Sequence, residues 1–208
     1  MPNIELLHID CMEYMNGLPD KAFDLAIVDP PYGIDRGETF GGKNWKEYEK
    51  KDWDKSPPPA DYFKELKRVS INQIIWGANY YPAHLDASMG WVFWDKGQDL
   101  AMSDGELAFS SFDKALRRVV INRGHNGEFG GLLHPTQKPV KLYRWLLHNY
   151  AKHGDKILDT HGGSRSLAIA CHQMDFDHVS CEIDLDYHND SVKRFKEQTM
   201  QGDLFRGL

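Results

Sequence analysis

The chain has 208 residues, of which 41% are hydrophobic, and carries a formal net charge of −6 with a pI of about 5.9. That length suits one compact domain, and the apolar content excludes a disordered chain. No apolar stretch is long enough to cross a bilayer, Met1-Pro2-Asn3-Ile4-Glu5 lacks the basic start of a signal peptide, and the scattered Cys11, Cys171 and Cys181 fit neither a disulfide framework nor a tetrahedral zinc site, so the expectation is a reduced, cytoplasmic, metal-free protein without a membrane partner.

In chain order, Phe23-Asp24-Leu25-Ala26-Ile27-Val28 reads as a buried parallel strand that Asp29-Pro30-Pro31 stops abruptly. Asp61 is positioned to cap a helix over Tyr62–Ser70, with Phe63, Leu66 and Val69 along one side. Strands follow at Gln73–Trp76, Trp91–Trp94 and Arg118–Ile121. After Pro139, the spacing of Val140, Tyr143, Leu146, Leu147 and Tyr150 marks a buried helical stripe. Lys156–Leu158 and His178–Cys181 are two more strands, separated by a helix through Leu167, Ala168, Cys171 and Met174 that Gly162-Gly163-Ser164 opens. Tyr187–Met200 reads as a charged terminal helix. Strands alternating with helices predict an α/β fold, a mostly parallel sheet covered on both faces.

Two stretches differ. Residues 33–60 and 118–134 contain Gly-, Pro- and Lys-rich sequence with interleaved aromatics, and read as long functional loops inserted in a single 1–208 domain. Charge is also unevenly distributed. Between 114 and 144, Lys114, Arg117, Arg118, Arg123, Lys138, Lys141 and Arg144 face Glu128 alone, whereas 153–190 is strongly acidic. A local basic patch can bind nucleic acid on an acidic chain, although charge alone fits a solvated face as well.

Asp29-Pro30-Pro31-Tyr32 is the sharpest chemical signal, because it ends a buried strand where open α/β sheets bind ligands. An aryl amine is a poor nucleophile, since its lone pair is delocalised into the ring. The Asp29 carboxylate and the Pro30 carbonyl, held rigid by the prolines, supply two acceptors that draw such a nitrogen toward tetrahedral geometry. Tyr32 offers a flat face for a base taken out of its stack. Further along, Asp159 precedes Gly162-Gly163-Ser164, where two glycines permit close backbone approach at a helix N-terminus, and Glu182 follows about 20 residues on, as an acid for ribose hydroxyls would.

On these residues the chain resembles the β group of amino-methylating DNA methyltransferases that carry the Asp-Pro-Pro-Tyr motif. The resemblance extends through Leu7–Tyr14, Trp76–Tyr81, Trp91–Lys96, His134–Pro139 and Leu158–Ser164. It implies a Rossmann-like domain with circularly permuted motif order, of phage or restriction-modification type, using S-adenosyl-L-methionine to methylate N6 of adenine. The implied partner is double-stranded DNA with the target base flipped out, and a homodimer is the assembly relatives often adopt. Asp10 and the Cys11 backbone are then implied to contact the cofactor's adenine ring, and Thr136 and Lys138 its methionine end. Asp159 is implied to hold its ammonium; Asp29, His161, Gly162, Gly163 and Ser164 to line its site; and Glu182 and Ile183 to hold ribose and adenine. Trp76–Tyr81 and Trp91–Lys96 are expected to wall the target-base pocket, Asn79 and Tyr80 above all, with Trp91 and Trp94 divided between that pocket and the core. Two departures stand out: His161 replaces the usual phenylalanine, and Arg165 stands where a small residue is common. Cytosine N4 is the alternative target, ahead of RNA, a protein amide or a non-catalytic DNA-binding relic. A dehydrogenase is disfavoured, because Gly162–Ser166 does not spell Gly-x-Gly-x-x-Gly.

Overall fold

The computed structural model describes residues 1–34, 54–97, 103–122 and 137–206, the last six by backbone alone. Most of the two expected loop insertions, together with Arg123 and Thr136, lies outside those residues.

Among the described residues, eight strands form one sheet. In chain order they are β1 (Ile4–His8), β2 (Phe23–Val28), β3 (Ser70–Trp76), β4 (Trp91–Asp95), β5 (Gly105–Ser110), β6 (Arg117–Val120), β7 (Lys156–Asp159) and β8 (Asp177–Glu182). The helices are α1 (Cys11–Asn16), α2 (Ala60–Val69), α3 (Val140–Tyr150), α4 (Ser166–Met174) and α5 (Leu185–Arg206). The spatial order is β1-β8-β7-β2-β3-β5-β4-β6. All neighbours are parallel except β5, which runs antiparallel to β3 and β4.

The apolar run of β2 explains its central place. Leu25 and Ile27 pack into one core with Ile74, Trp76, Leu146, Leu147 and Ile169. Ala26 and Val28 point the other way, into a second core with Met15, Tyr62, Phe63 and Leu66. A strand buried on both faces needs this continuous hydrophobicity. The chain ends meet where β1 pairs in register with β8, and Ile9 donates to the Glu182 carbonyl at 3.1 Å.

Local signals misplaced one cap. Helix α2 begins at Ala60 with Pro59 at its N-cap and no side-chain capping bond, so Asp61 lies in the first turn instead of capping it. There its charge complements the helix dipole. Strand β5, with its antiparallel direction, went unread in the sequence. No described helix is long and apolar enough to cross a membrane.

Candidate active site

Three neighbouring strands, β2, β7 and β8, each deliver an acid at their carboxyl ends: Asp29, Asp159 and Glu182. Parallel strands aim their last residues at one edge of the sheet, so topology alone gathers side chains far apart in sequence. A cleft with about 950 Å³ of empty space, its mouth included, opens at that edge. Asp29, Pro31, Lys138, Asp159, His161, Gly162, Gly163, Ser164, Glu182 and Ile183 all line it.

The glycine loop is fixed by the acids. Glu182 accepts from the Gly163 amide at 2.8 Å through one oxygen and from the Asp184 amide at 3.0 Å through the other. Asp159 accepts from the His161 amide at 3.0 Å. Burial pushes the Asp159 carboxyl up to about 7, against the His161 amide and Arg165, which pull it down. His161 pairs through Nδ1 with the Thr160 hydroxyl at 2.9 Å and meets Tyr62 edge-on. Burial holds its imidazole down at about 4, so it is neutral at physiological pH.

Arg165 accounts for one departure from the family pattern. It is fully buried with φ 59°, and its guanidinium donates to the Ser180 hydroxyl and the Leu7 carbonyl. A β-carbon at Gly162 would overlap that guanidinium. Gly162 therefore makes room for Arg165 beneath the loop, a close approach by a side chain where the sequence suggested one by backbone.

The opening segment behaves differently from the rest of the expected site. Asp10 caps α1, accepting from the Met12 and Glu13 amides at 2.8 and 3.0 Å. Neither Asp10 nor Cys11 is among the residues lining the cleft.

On the other side of Asp29 is a chain of alternating charges. Lys138 Nζ lies 2.5 Å from Asp29 Oδ2 and 3.1 Å from Glu106 Oε2, and Lys96 Nζ lies 2.9 Å from Glu106 Oε1. Burial raises the Asp29 carboxyl, Lys138 pulls it down, and Glu106 raises it again. Burial also disfavours the Glu106 charge, yet Lys138 and Lys96 outweigh it and hold that carboxyl down at about 2. Lys138 is thus engaged by two carboxylates of the protein itself. Glu106 lies at the start of the unread strand β5 and was missed for that reason.

The tetrad is clamped from several directions. The Tyr32 hydroxyl donates to Asp29 Oδ1 at 2.7 Å, while Asp54 accepts from the Tyr32 and Gly33 amides at 2.7 and 3.0 Å. The buried Tyr81 hydroxyl is within reach of the Pro30 and Pro31 carbonyls at 2.9 and 2.5 Å. Pro31 lines the cleft, whereas Pro30 is buried and is not among the residues that line it. Tyr81, which the sequence places in the Trp76–Tyr81 pocket wall, is buried and braces the tetrad instead.

A second cavity, lined by Tyr32, Asn79, Tyr80, Phe93, Lys96 and Glu106 among others, opens beside this network. Tyr80 stacks on Tyr32 with centroids 5.0 Å apart and planes 14° apart. Trp94 is core, donating from Nε1 to the Ile121 carbonyl, and Trp91 packs on Phe109. The alternation of β4 puts Trp94 on the face opposite Phe93; Trp91 shares the face of Phe93 but packs on Phe109, and of the three only Phe93 lines the cavity.

Gly77 fixes Tyr32. Its φ is +66°, and a β-carbon there would overlap the Tyr32 ring. Gly77→Ala is expected to cost about 2 kcal/mol of stability through left-handed strain and collision. Urea unfolding with an unchanged midpoint would contradict this.

The basic stretch is more engaged than its sequence suggests. Arg118 pairs with Asp95 at 2.6 Å, Lys114 donates to the Asn149 carbonyl at 2.7 Å, and Arg117 lies over the Trp145 ring. Exposed pairs of this kind add little stability.

A family of DNA methylases, the N6/N4 methyltransferases, matches residues 74–193, more than half of the chain. The type II methyltransferase M2.MboI of Moraxella bovis is 22% identical across 95% of this chain and 89% of its own length. M.HpaI of Haemophilus parainfluenzae is 24% identical across 88% of this chain and 71% of its own. Among solved structures, M1.HpyAVI in complex with SAM superimposes with a TM-score of 0.59 at 17% identity, covering 94% of this chain and 100% of that one. The cytosine-N4-specific PvuII DNA methyltransferase gives 0.62 at 16% identity, covering 94% and 87%. The fold is that of these enzymes, and by the match over residues 74–193 the chain belongs to the N6/N4 DNA methylase family.

Proposed function

We propose that the protein transfers a methyl group from S-adenosylmethionine to N6 of adenine in double-stranded DNA. The observation that carries this reading is the position of Asp29. Its carboxylate lines the cleft shared with Asp159 and Glu182, and its partner Tyr32 lines the adjoining cavity. An amine entering from the second cavity would therefore meet its acceptors at the border with the first.

The residues present suit S-adenosylmethionine. Among the described residues no lysine or arginine hydrogen-bonds the buried Asp159, although the Arg165 charge acts on it, and such an acid suits a cationic ligand such as an ammonium. Gly162, Gly163, Ser164 and Ile183 supply a wall of backbone and apolar surface, and Glu182 has an oxygen beside the Gly163 amide for a ribose hydroxyl. Lys138 would reach a carboxylate only by loosening its hold on Asp29 or Glu106. When bound, the cofactor supplies an electrophilic methyl group on a sulfonium.

The chain's own groups do the rest. Asp29 Oδ1 is occupied by the Tyr32 hydroxyl, which occupies the place of an incoming amine N–H. A target base would displace that hydroxyl and donate its two amine protons to Asp29 and to the Pro30 carbonyl, sharing the latter with the Tyr81 hydroxyl. Held this way, the nitrogen is drawn toward tetrahedral geometry and presents its lone pair to the cleft. Asp29 accepts the proton that becomes acidic once the nitrogen is alkylated. Tyr80 on Tyr32 occupies a stacking position that a flat base would take over. Adenine is favoured by the Asp-Pro-Pro-Tyr form of the tetrad. Cytosine N4 presents the same two amine protons and is the alternative.

Sequencing with base-modification detection on DNA from cells expressing the protein tests this reading. Modified adenines within one short sequence are expected; unmodified DNA would overturn it.

A further inference from the structure

Resting on the methyl-transfer reading, we propose that Glu106, braced by Lys96, is a positioning residue that sets how tightly Lys138 holds Asp29. Lys138 Nζ sits between two carboxylates, 2.5 Å from Asp29 and 3.1 Å from Glu106. The far oxygen of Glu106 is tied to Lys96 at 2.9 Å. The side chains of Lys138 and Lys96 are 2% and 6% exposed, and those of Asp29 and Glu106 15% and 23%. Charges this secluded are tolerated when paired, and the four sum to zero.

The division of labour follows from geometry. One ammonium serves two carboxylates, so whatever Glu106 takes from Lys138 is withheld from Asp29. An Asp29 bound by Lys138 alone would be a weaker acceptor for a base amine. An Asp29 without Lys138 would be a buried charge facing only hydroxyls. Glu106 lies between these extremes, and Lys96 limits in turn how much of Glu106 reaches Lys138. The hairpin fixes the arrangement: the β4–β5 register pairs Trp94 with Glu106, and the Lys96 amide donates to the Asp104 carbonyl at 2.9 Å.

Other ionisable groups also face this network. Tyr32 reaches both acids with its hydroxyl, Tyr81 and Tyr143 feel the Asp29 charge, and Asp159 interacts with Asp29 from β7. All of them remain when Glu106 or Lys96 is changed, so the two substitutions isolate the chain of alternating charges.

The test uses the full-length protein with Glu106→Gln and, separately, Lys96→Gln. Losing the Glu106 charge gives Lys138 wholly to Asp29 and removes a neighbouring negative charge. The Asp29 titration midpoint, read by carboxyl NMR and assigned by its loss in Asp29→Asn, should then fall by about one pH unit. Losing the Lys96 charge frees Glu106 to compete for Lys138, so the same midpoint should rise, by about as much. The acid limb of single-turnover methyl transfer from S-adenosylmethionine to a DNA duplex should move in the same two directions. A merely structural role would lower activity in both variants and leave the midpoints in place. Midpoints that stay fixed, or move in one direction for both, overturn the proposal; one folded variant suffices for the sign. Opposed shifts in a wild-type protein that transfers no label would uphold the charge coupling and reject the methyl-transfer reading.

Discussion

Replacing Asp29 with Ala is expected to lower single-turnover methyl transfer by about a thousandfold or more, the upper end of what losing one preorganised transition-state contact costs. The size follows from what Asp29 touches. It accepts from Tyr32, pairs with Lys138, and lines the cleft at the sheet edge. Its removal takes away one of the two amine acceptors and leaves the buried Lys138 ammonium to Glu106 alone. Asp29→Asn keeps the shape and one acceptor oxygen but loses the charge, and should retain more activity than Ala. Rapid-quench assays with labelled cofactor measure both. An Asp29→Ala enzyme within a few-fold of wild type would show that the amine is held elsewhere.

A second substitution should split function from stability. Burial raises the Asp159 carboxyl to about 7, whereas an unfolded aspartate titrates near 4. An acid whose pKa rises on folding contributes stability that is complete below its unfolded value and is lost as pH climbs toward the folded one. Above pH 7 the ionised Asp159 is therefore a net cost to the cofactor-free fold. Asp159→Asn preserves the oxygen that accepts from the His161 amide and removes the charge. It should stabilise the free protein by about 2 kcal/mol at pH 8, with the gain shrinking toward zero as pH falls to 4. The same change should weaken S-adenosylmethionine binding by about 10- to 100-fold, through loss of a charged hydrogen bond to its ammonium. Thermal melts across pH and calorimetric titration report the two effects separately. Unchanged cofactor affinity would remove Asp159 from the cofactor site, and a destabilised variant at pH 8 would contradict the burial argument.

Much of this site was legible because it is local. Leu25–Val28 is continuously apolar and two prolines follow Asp29, so both the strand and the place of Asp29 at its carboxyl end follow from the sequence. Gly162 and Gly163 announced a loop, and the acids Asp159 and Glu182 lay at strand ends where α/β sheets gather ligands. What escaped depends on distant partners. Strand β5, Gly105–Ser110, has neither clean alternation nor a long apolar run, and Glu106 looks like a surface charge until β4 brings Lys96 beside it. Periodicity in Trp91–Trp94 gives two faces without saying which one meets the core. Arg165 reads as an irregularity in a cofactor loop until Gly162 is seen to leave space for it. Asp10 reads in sequence as a turn residue after a strand, and its capping of α1 shows only once the Met12 and Glu13 amides are placed beside its carboxylate.

Methyl transfer to an amino group of a DNA base is read out by incubating the protein with duplex DNA and methyl-labelled S-adenosylmethionine, digesting to nucleosides, and separating them. Label in N6-methyladenine is expected. Label confined to N4-methylcytosine would contradict the choice of base, and label in no nucleoside of the digested DNA would contradict the account as a whole.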